Sequence, residues 1–111
     1  MKTLLFLMIM TFLVAAMVYA GESQKDTVKT SAGDLEISFL GHGTLMFTFD
    51  NKIIHIDPFS RVAEYSKLPD ADMILITHEH RDHLDESALI EIRTAETQIV
   101  AAKSCVDQLG D

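Results

Sequence analysis

The sequence predicts an α/β protein built on a mixed β-sheet with flanking helices, and three features carry that prediction. In "LEISFLG", Leu35, Ile37 and Phe39 alternate with Glu36 and Ser38 at the period of a half-buried strand. Asp50 and Asn51 separate two apolar runs by two residues, which is the spacing of a tight hairpin. "MILIT" (Met73 to Thr77) is a short continuous apolar run followed by a polar loop and a helical pattern, as expected for a central strand covered on both faces.

The chain opens "MKTLLFLMIMTFLVAAMVYAGES": one lysine, an apolar stretch, then small residues at Val18 and Ala20. Residues 1–20 therefore read as a secretory signal peptide cut after Ala20. A membrane anchor is the competing reading, but a spanning helix wants about 20 apolar residues and usually stronger basic flanks. Export to the periplasm or the medium follows, with no membrane association after cleavage. Residues 21–33 are polar and lack aromatics, so they read as a polar linker or a frayed strand. Residues 34–111 form the structured part.

After the strand at Asp34 to Leu40, "GHGT" (Gly41 to Thr44) interrupts the run and "TLMFTF" resumes it with β-branched and aromatic residues. Thr44 to Phe49 and Lys52 to Asp57 should pair antiparallel. Pro58 ends the second strand, because it lacks an N–H and restricts the residue before it. Ser60 to Lys67 reads as a short helix or an irregular loop. Past the histidines, "DESALIEIRTAE" offers Asp85 as a cap, acidic residues in its first turn, and Leu89 and Ile92 on one side, which predicts a helix. "TQIVAA" predicts a further strand and "KSCVDQLGD" the start of another helix.

The chain holds 17 acidic and 9 basic residues, a formal net charge of −8. Such a surface argues against nucleic acid or anionic membrane as a partner and leaves a small-molecule substrate. Cys105 is the one cysteine, so no disulfide framework is expected, and it reads as a small, partly buried helical residue.

The chemistry lies in "THEHRDHLD", where His78 and His80 stand two apart beyond a buried strand, so that extended backbone sends both rings to one side. Asp82 and His83 follow within a turn. Imidazole and carboxylate suit zinc, with manganese or iron as alternatives, and the spacing suits two neighbouring ions. Two ions about 3.5–4 Å apart can activate one water at neutral pH. His42, between Gly41 and Gly43, reads equally as a group that bonds substrate or braces the metal loop and as a turn histidine allowed by its glycines. His55 alternates with apolar neighbours and reads as structural. Glu79 and Arg81 should face solvent or the mouth of a cleft.

"THEHRDHLD" resembles the HxHxDH signature of the metallo-β-lactamase superfamily. "GHGTLMF", "IDPF" and "ADMILITHEH" look like its lactonase-like and phospholipase-like branch. The resemblance implies the first half of an αββα sandwich, truncated before its second half. It implies that His78 and His80 hold one metal and Asp82 and His83 a second, with Asp82 also orienting the attacking water and carrying a proton. Asp57 matches the earlier acidic position that supports the ligands by hydrogen bonds.

The family completes its site with further histidines and a bridging aspartate, yet no histidine follows His83, and Asp107 and Asp111 come too soon. Two functions follow. One is the N-terminal part of an exported metal-dependent hydrolase acting on an ester, amide, lactone or phosphoester bond, inactive without the missing C-terminal half. The other is a non-catalytic remnant or metal-binding module. One sheet face should then be left open where that second half would pack.

Overall fold

The computed structural model describes residues 23–109. The signal peptide expected over residues 1–20 lies outside the described residues. Six strands form one sheet in sequence order: β1 (Gln24–Thr30), β2 (Gly33–Gly41), β3 (Thr44–Phe49), β4 (Lys52–Ile56), β5 (Met73–Ile76) and β6 (Gln98–Ala101). The first four pair antiparallel, whereas β4, β5 and β6 are parallel. Among the described residues two helices, α1 (Glu86–Ile92) and α2 (Lys103–Leu109), join the sheet in an α/β architecture.

Each local prediction has a visible cause in the backbone. Asp50 and Asn51 take left-handed φ values of 48° and 58°, the geometry of a two-residue hairpin turn whose twist matches its strands. Phe47 pairs with Ile54 and Met46 with His55, which sets opposite faces for the two residue types. Asp85 caps α1 by accepting from Ser87 N at 3.0 Å. The same carboxylate accepts from Ser60 N and Oγ at 2.8 and 2.6 Å, which pins the helix start to the loop after β4. Burial alone would push the Asp85 carboxyl up, but these hydrogen bonds outweigh it and hold the group below the usual carboxylate range.

Two open alternatives are decided and one expectation is corrected. The segment read as a polar linker or a frayed strand, residues 21–33, contains β1, which pairs with β2 from Gln24–Phe39 to Thr30–Gly33. All seven β1 residues are exposed, so the strand is held by its ladder and by contacts such as Lys25–Glu36, with no buried side to mark it. The segment Ser60 to Lys67 is a loop with a single 3₁₀ turn, Tyr65–Lys67. Met73–Ile76 is covered on one face only: Ile74 and Ile76 are buried, whereas Met73 and Leu75 are partly exposed.

The core lies on one side of the sheet, where Ile74 and Ile76 meet Tyr65, Ala88, Leu89, Ile92 and Cys105. The opposite face carries apolar rows in register, Phe39–Leu45–Ile56–Leu75–Val100 and Ile37–Phe47–Ile54–Met73, left half-open among the described residues. Cys105 is fully buried in α2, deeper than its sequence context indicates.

His55 is fully buried on the core face of β4, with Nε2 donating to Pro69 O at 3.0 Å and Nδ1 without a partner. The structural reading of this residue is the one the contacts support. Tyr65 packs beside it at 5.9 Å, and burial pushes the Tyr65 hydroxyl up to about 12. The hydroxyl accepts from Phe59 N at 2.9 Å and so ties down the loop after β4.

Two predictions follow from this packing. Ile92→Ala should lower the unfolding free energy by about 2–5 kcal/mol, whereas Ile90→Ala, at a side chain 72% exposed, should change it by less than about 0.5 kcal/mol; urea titration compares them. Burial holds the His55 imidazole below its ordinary 6.5. The unfolded chain therefore takes up that proton first. The stability present above about pH 6.5 is lost as pH falls towards the folded value, by at most about 1.4 kcal/mol per pH unit. The drop in urea midpoint between about pH 7.5 and 5.5 should shrink in His55→Gln.

Candidate metal centre

Parallel pairing decides where the site forms. With Ile56 opposite Leu75, the ends of β4 and β5 emerge side by side, so the residues just past each strand meet at one sheet edge. Those residues are Asp57 and Thr77. Asp57 was expected as the last strand residue, but it stands just beyond β4 at a left-handed φ of 46°.

That turn lets Asp57 satisfy every polar atom it has. Its N donates to Leu75 O at 2.9 Å, and its O accepts from Thr44 Oγ1 at 2.7 Å. Its Oδ1 accepts from Thr77 N at 2.7 Å, and its Oδ2 accepts from Thr77 Oγ1 at 2.6 Å and His83 Nδ1 at 2.8 Å. The residue is 3% exposed, so these contacts replace lost water. A left-handed L-residue costs about 1–2 kcal/mol, and one hydrogen bond to a charged group contributes about 1.5–3 kcal/mol, so the carboxylate contacts decide the conformation.

The histidine loop is built on this anchor. His83 N and Leu84 N both donate to His80 O at 2.8 Å, closing the turn that brings His83 back beside His78. The His78 and His83 rings lie 3.9 Å apart by centroid, and the His80 ring sits edge-on to His78 at 4.5 Å. Because His83 Nδ1 donates to Asp57, the neutral ring presents a lone pair at Nε2. Gly43 makes room for that ring: a Cβ there would stand 3.2 Å from His83 Cε1.

Asp82 faces the same point from the other side. Its Oδ2 is 2.7 Å from His42 Nε2 and 3.5 Å from His83 Nε2. The hydrogen bond from His42 holds the Asp82 carboxyl below the usual carboxylate range, so it is an anion at neutral pH. His42 itself has a left-handed φ of 54° in the turn between β2 and β3. It is a turn residue and also braces Asp82. Asp82 lines an open cleft with Phe59, Arg61 and Arg81.

Donor atoms of His42, Asp82 and His83 lie within 4.8 Å of one another, and so do those of Asp57, His78 and His83. His80 belongs to neither group, although its ring lies edge-on to His78. Asp57 is the less suited of these to ligate, because its oxygens already accept from Thr77 and His83. Its contacts match the supporting position. The donor set of imidazoles and carboxylate, with no thiolate nearby, fits zinc, manganese or iron.

One expectation needs refinement here. Glu79, read as facing solvent or the cleft mouth, accepts from Ser104 Oγ on α2 at 2.8 Å. Its own backbone N–H and Ser104 hold that carboxyl below the usual range. Thr77, Thr44 and Ser60 organise the site and were not singled out in the sequence. Their signal is slight: each is a hydroxyl residue at an element boundary near the histidine loop or the "IDPF" turn.

The family model described as "Beta-lactamase superfamily domain" matches residues 36–106, well over half of the chain. A UPF0173 metal-dependent hydrolase from Methanosarcina mazei is 39% identical over 67 residues, 55% of this chain and 28% of that protein. Another from Pyrococcus horikoshii is 36% identical over 82 residues, 69% of this chain and 36% of that protein. A crystal structure of a protein named as a metal-dependent hydrolase, from Parabacteroides distasonis, matches with a TM-score of 0.78 at 46% identity, covering 80% of this chain and 41% of that one. The chain thus spans between 28% and 36% of the length of these curated relatives. The matched segment runs from within β2 through β6 and includes the whole histidine loop, and the chain belongs to the metallo-β-lactamase superfamily.

Proposed function

We propose that this chain carries the metal-ligand loop of an exported metal-dependent hydrolase acting on a small molecule. His78 and His80 would hold one ion, and Asp82 and His83 a second, with zinc the expected metal and manganese or iron the alternatives. The single observation behind this reading is that His83, oriented through Nδ1 by Asp57, stands beside both the His78 ring and the Asp82 carboxylate. A bound metal supplies Lewis acidity that activates water and stabilises the negative charge developing on an attacked ester, amide, lactone or phosphoester.

This chain's own residues would then divide the work. Asp57 keeps the His83 lone pair aimed outward through its Nδ1 contact. Asp82, anionic and exposed to the cleft, is placed to accept a proton from attacking water and pass it to the leaving group. His42 steadies that carboxylate from the β2–β3 turn. The half-open apolar face of the sheet supports the further proposal that the second half of the fold packs there.

A non-catalytic metal-binding module is the second reading, favoured by one observation: His80 stands in neither group of converging donors. Assaying purified chain against ester, lactone and phosphodiester substrates with added zinc separates the two.

Removing a ligand should cost more metal affinity than the about 10–100-fold typical of an outer hydrogen-bonding partner. His78→Ala and His83→Ala are thus each expected to weaken zinc binding by more than about 100-fold in competition titrations, while Glu91→Ala on exposed α1 surface leaves it unchanged. Unaltered affinity in either histidine variant would remove the proposed ligand set.

A further inference from the structure

The Thr77 hydroxyl stands within hydrogen-bond distance of two groups at once. Its Oγ1 lies 2.6 Å from Asp57 Oδ2 and 2.8 Å from His78 Nδ1. A threonine hydroxyl has one proton and accepting lone pairs, whereas a carboxylate oxygen only accepts. That proton must go to Asp57, so the hydroxyl oxygen is left to accept from His78. The proton on the neutral His78 ring therefore sits at Nδ1, and the lone pair sits at Nε2.

We propose that Thr77 is a positioning residue that sets the tautomer and orientation of His78, relaying to it the hold that Asp57 exerts directly on His83. One buried carboxylate then orders two imidazoles, one through Nδ1 contact and one through a hydroxyl, so that both present Nε2. The Thr77 backbone N–H, bound to Asp57 Oδ1, fixes the hydroxyl at the centre of this relay. The value of the relay for metal binding rests on the ligand reading above; the tautomer assignment does not.

Thr77 is exposed, so replacing it by the isosteric valine empties no core. The test is a long-range proton–nitrogen correlation spectrum of full-length chain labelled at histidine nitrogens, in mildly alkaline buffer without metal, with His78 assigned by loss of its signals in His78→Gln. His78 should be protonated at Nδ1 in the wild type and in Thr77→Ser, and should shift towards the Nε2-protonated form in Thr77→Val. A wild-type His78 protonated at Nε2 overturns the proposal without any variant having to fold. A Thr77→Val ring still held in the Nδ1 form overturns it as well. Zinc titration of the same proteins should show affinity about 10–100-fold weaker in Thr77→Val and restored in Thr77→Ser. If none of them binds zinc while the tautomer changes as stated, the ligand reading fails and the role of Thr77 stands.

Discussion

Everything at the site depends on a buried carboxylate that must find partners. Asp57 is almost wholly buried, and an unpaired charge there would cost several kcal/mol. The chain meets that demand with Thr77 and His83, residues that lie in the loop after β5, so satisfying Asp57 is the same event as folding the histidine loop. Even its left-handed backbone serves this end, because it turns the carboxylate from the strand axis towards β5.

The sheet makes that contact available. Antiparallel pairing across β1 to β4 builds a platform from local hairpins, and the change to parallel pairing at β4–β5 brings two strand ends to one edge. Core packing of Ile74 and Ile76 against α1 fixes β5 from one side, and the Asp85–Ser60 contacts hold the loop after β4 to the start of α1. The loop bearing His78 to His83 is thus clamped at both ends by rigid elements. Precision of this sort is what a metal centre needs, since donors misplaced by about 1 Å lose much of their effect.

Much of this was legible in residue patterns, and the parts that were not share a cause. Alternation in Leu35 to Phe39, the Asp50–Asn51 turn and the apolar run from Met73 mark strands and a hairpin locally, although on β2 the buried side chain is Ser38 and the apolar side stays half-open. β1 has no buried face, so "QKDTVKT" reads as linker as readily as strand, and its pairing is decided by its partner. His78, Asp82 and His83 stood out because their spacing constrains them locally. Thr77 did not, because its role depends on a carboxylate 20 residues away that only the parallel pairing brings near. His42 was readable as a turn residue from its glycines, while its bond to Asp82 spans 40 residues and has no local signature.

The central claim is that Asp57 orders the histidine loop as a metal site, and replacing only its charge tests it most directly. Asp57→Asn keeps the shape but sets an amide nitrogen among donors from Thr77 and His83. Zinc affinity measured by competition titration, beside a circular dichroism spectrum that verifies the fold, should fall about 10–100-fold relative to wild type. Affinity equal to wild type in a folded Asp57→Asn chain would contradict the account.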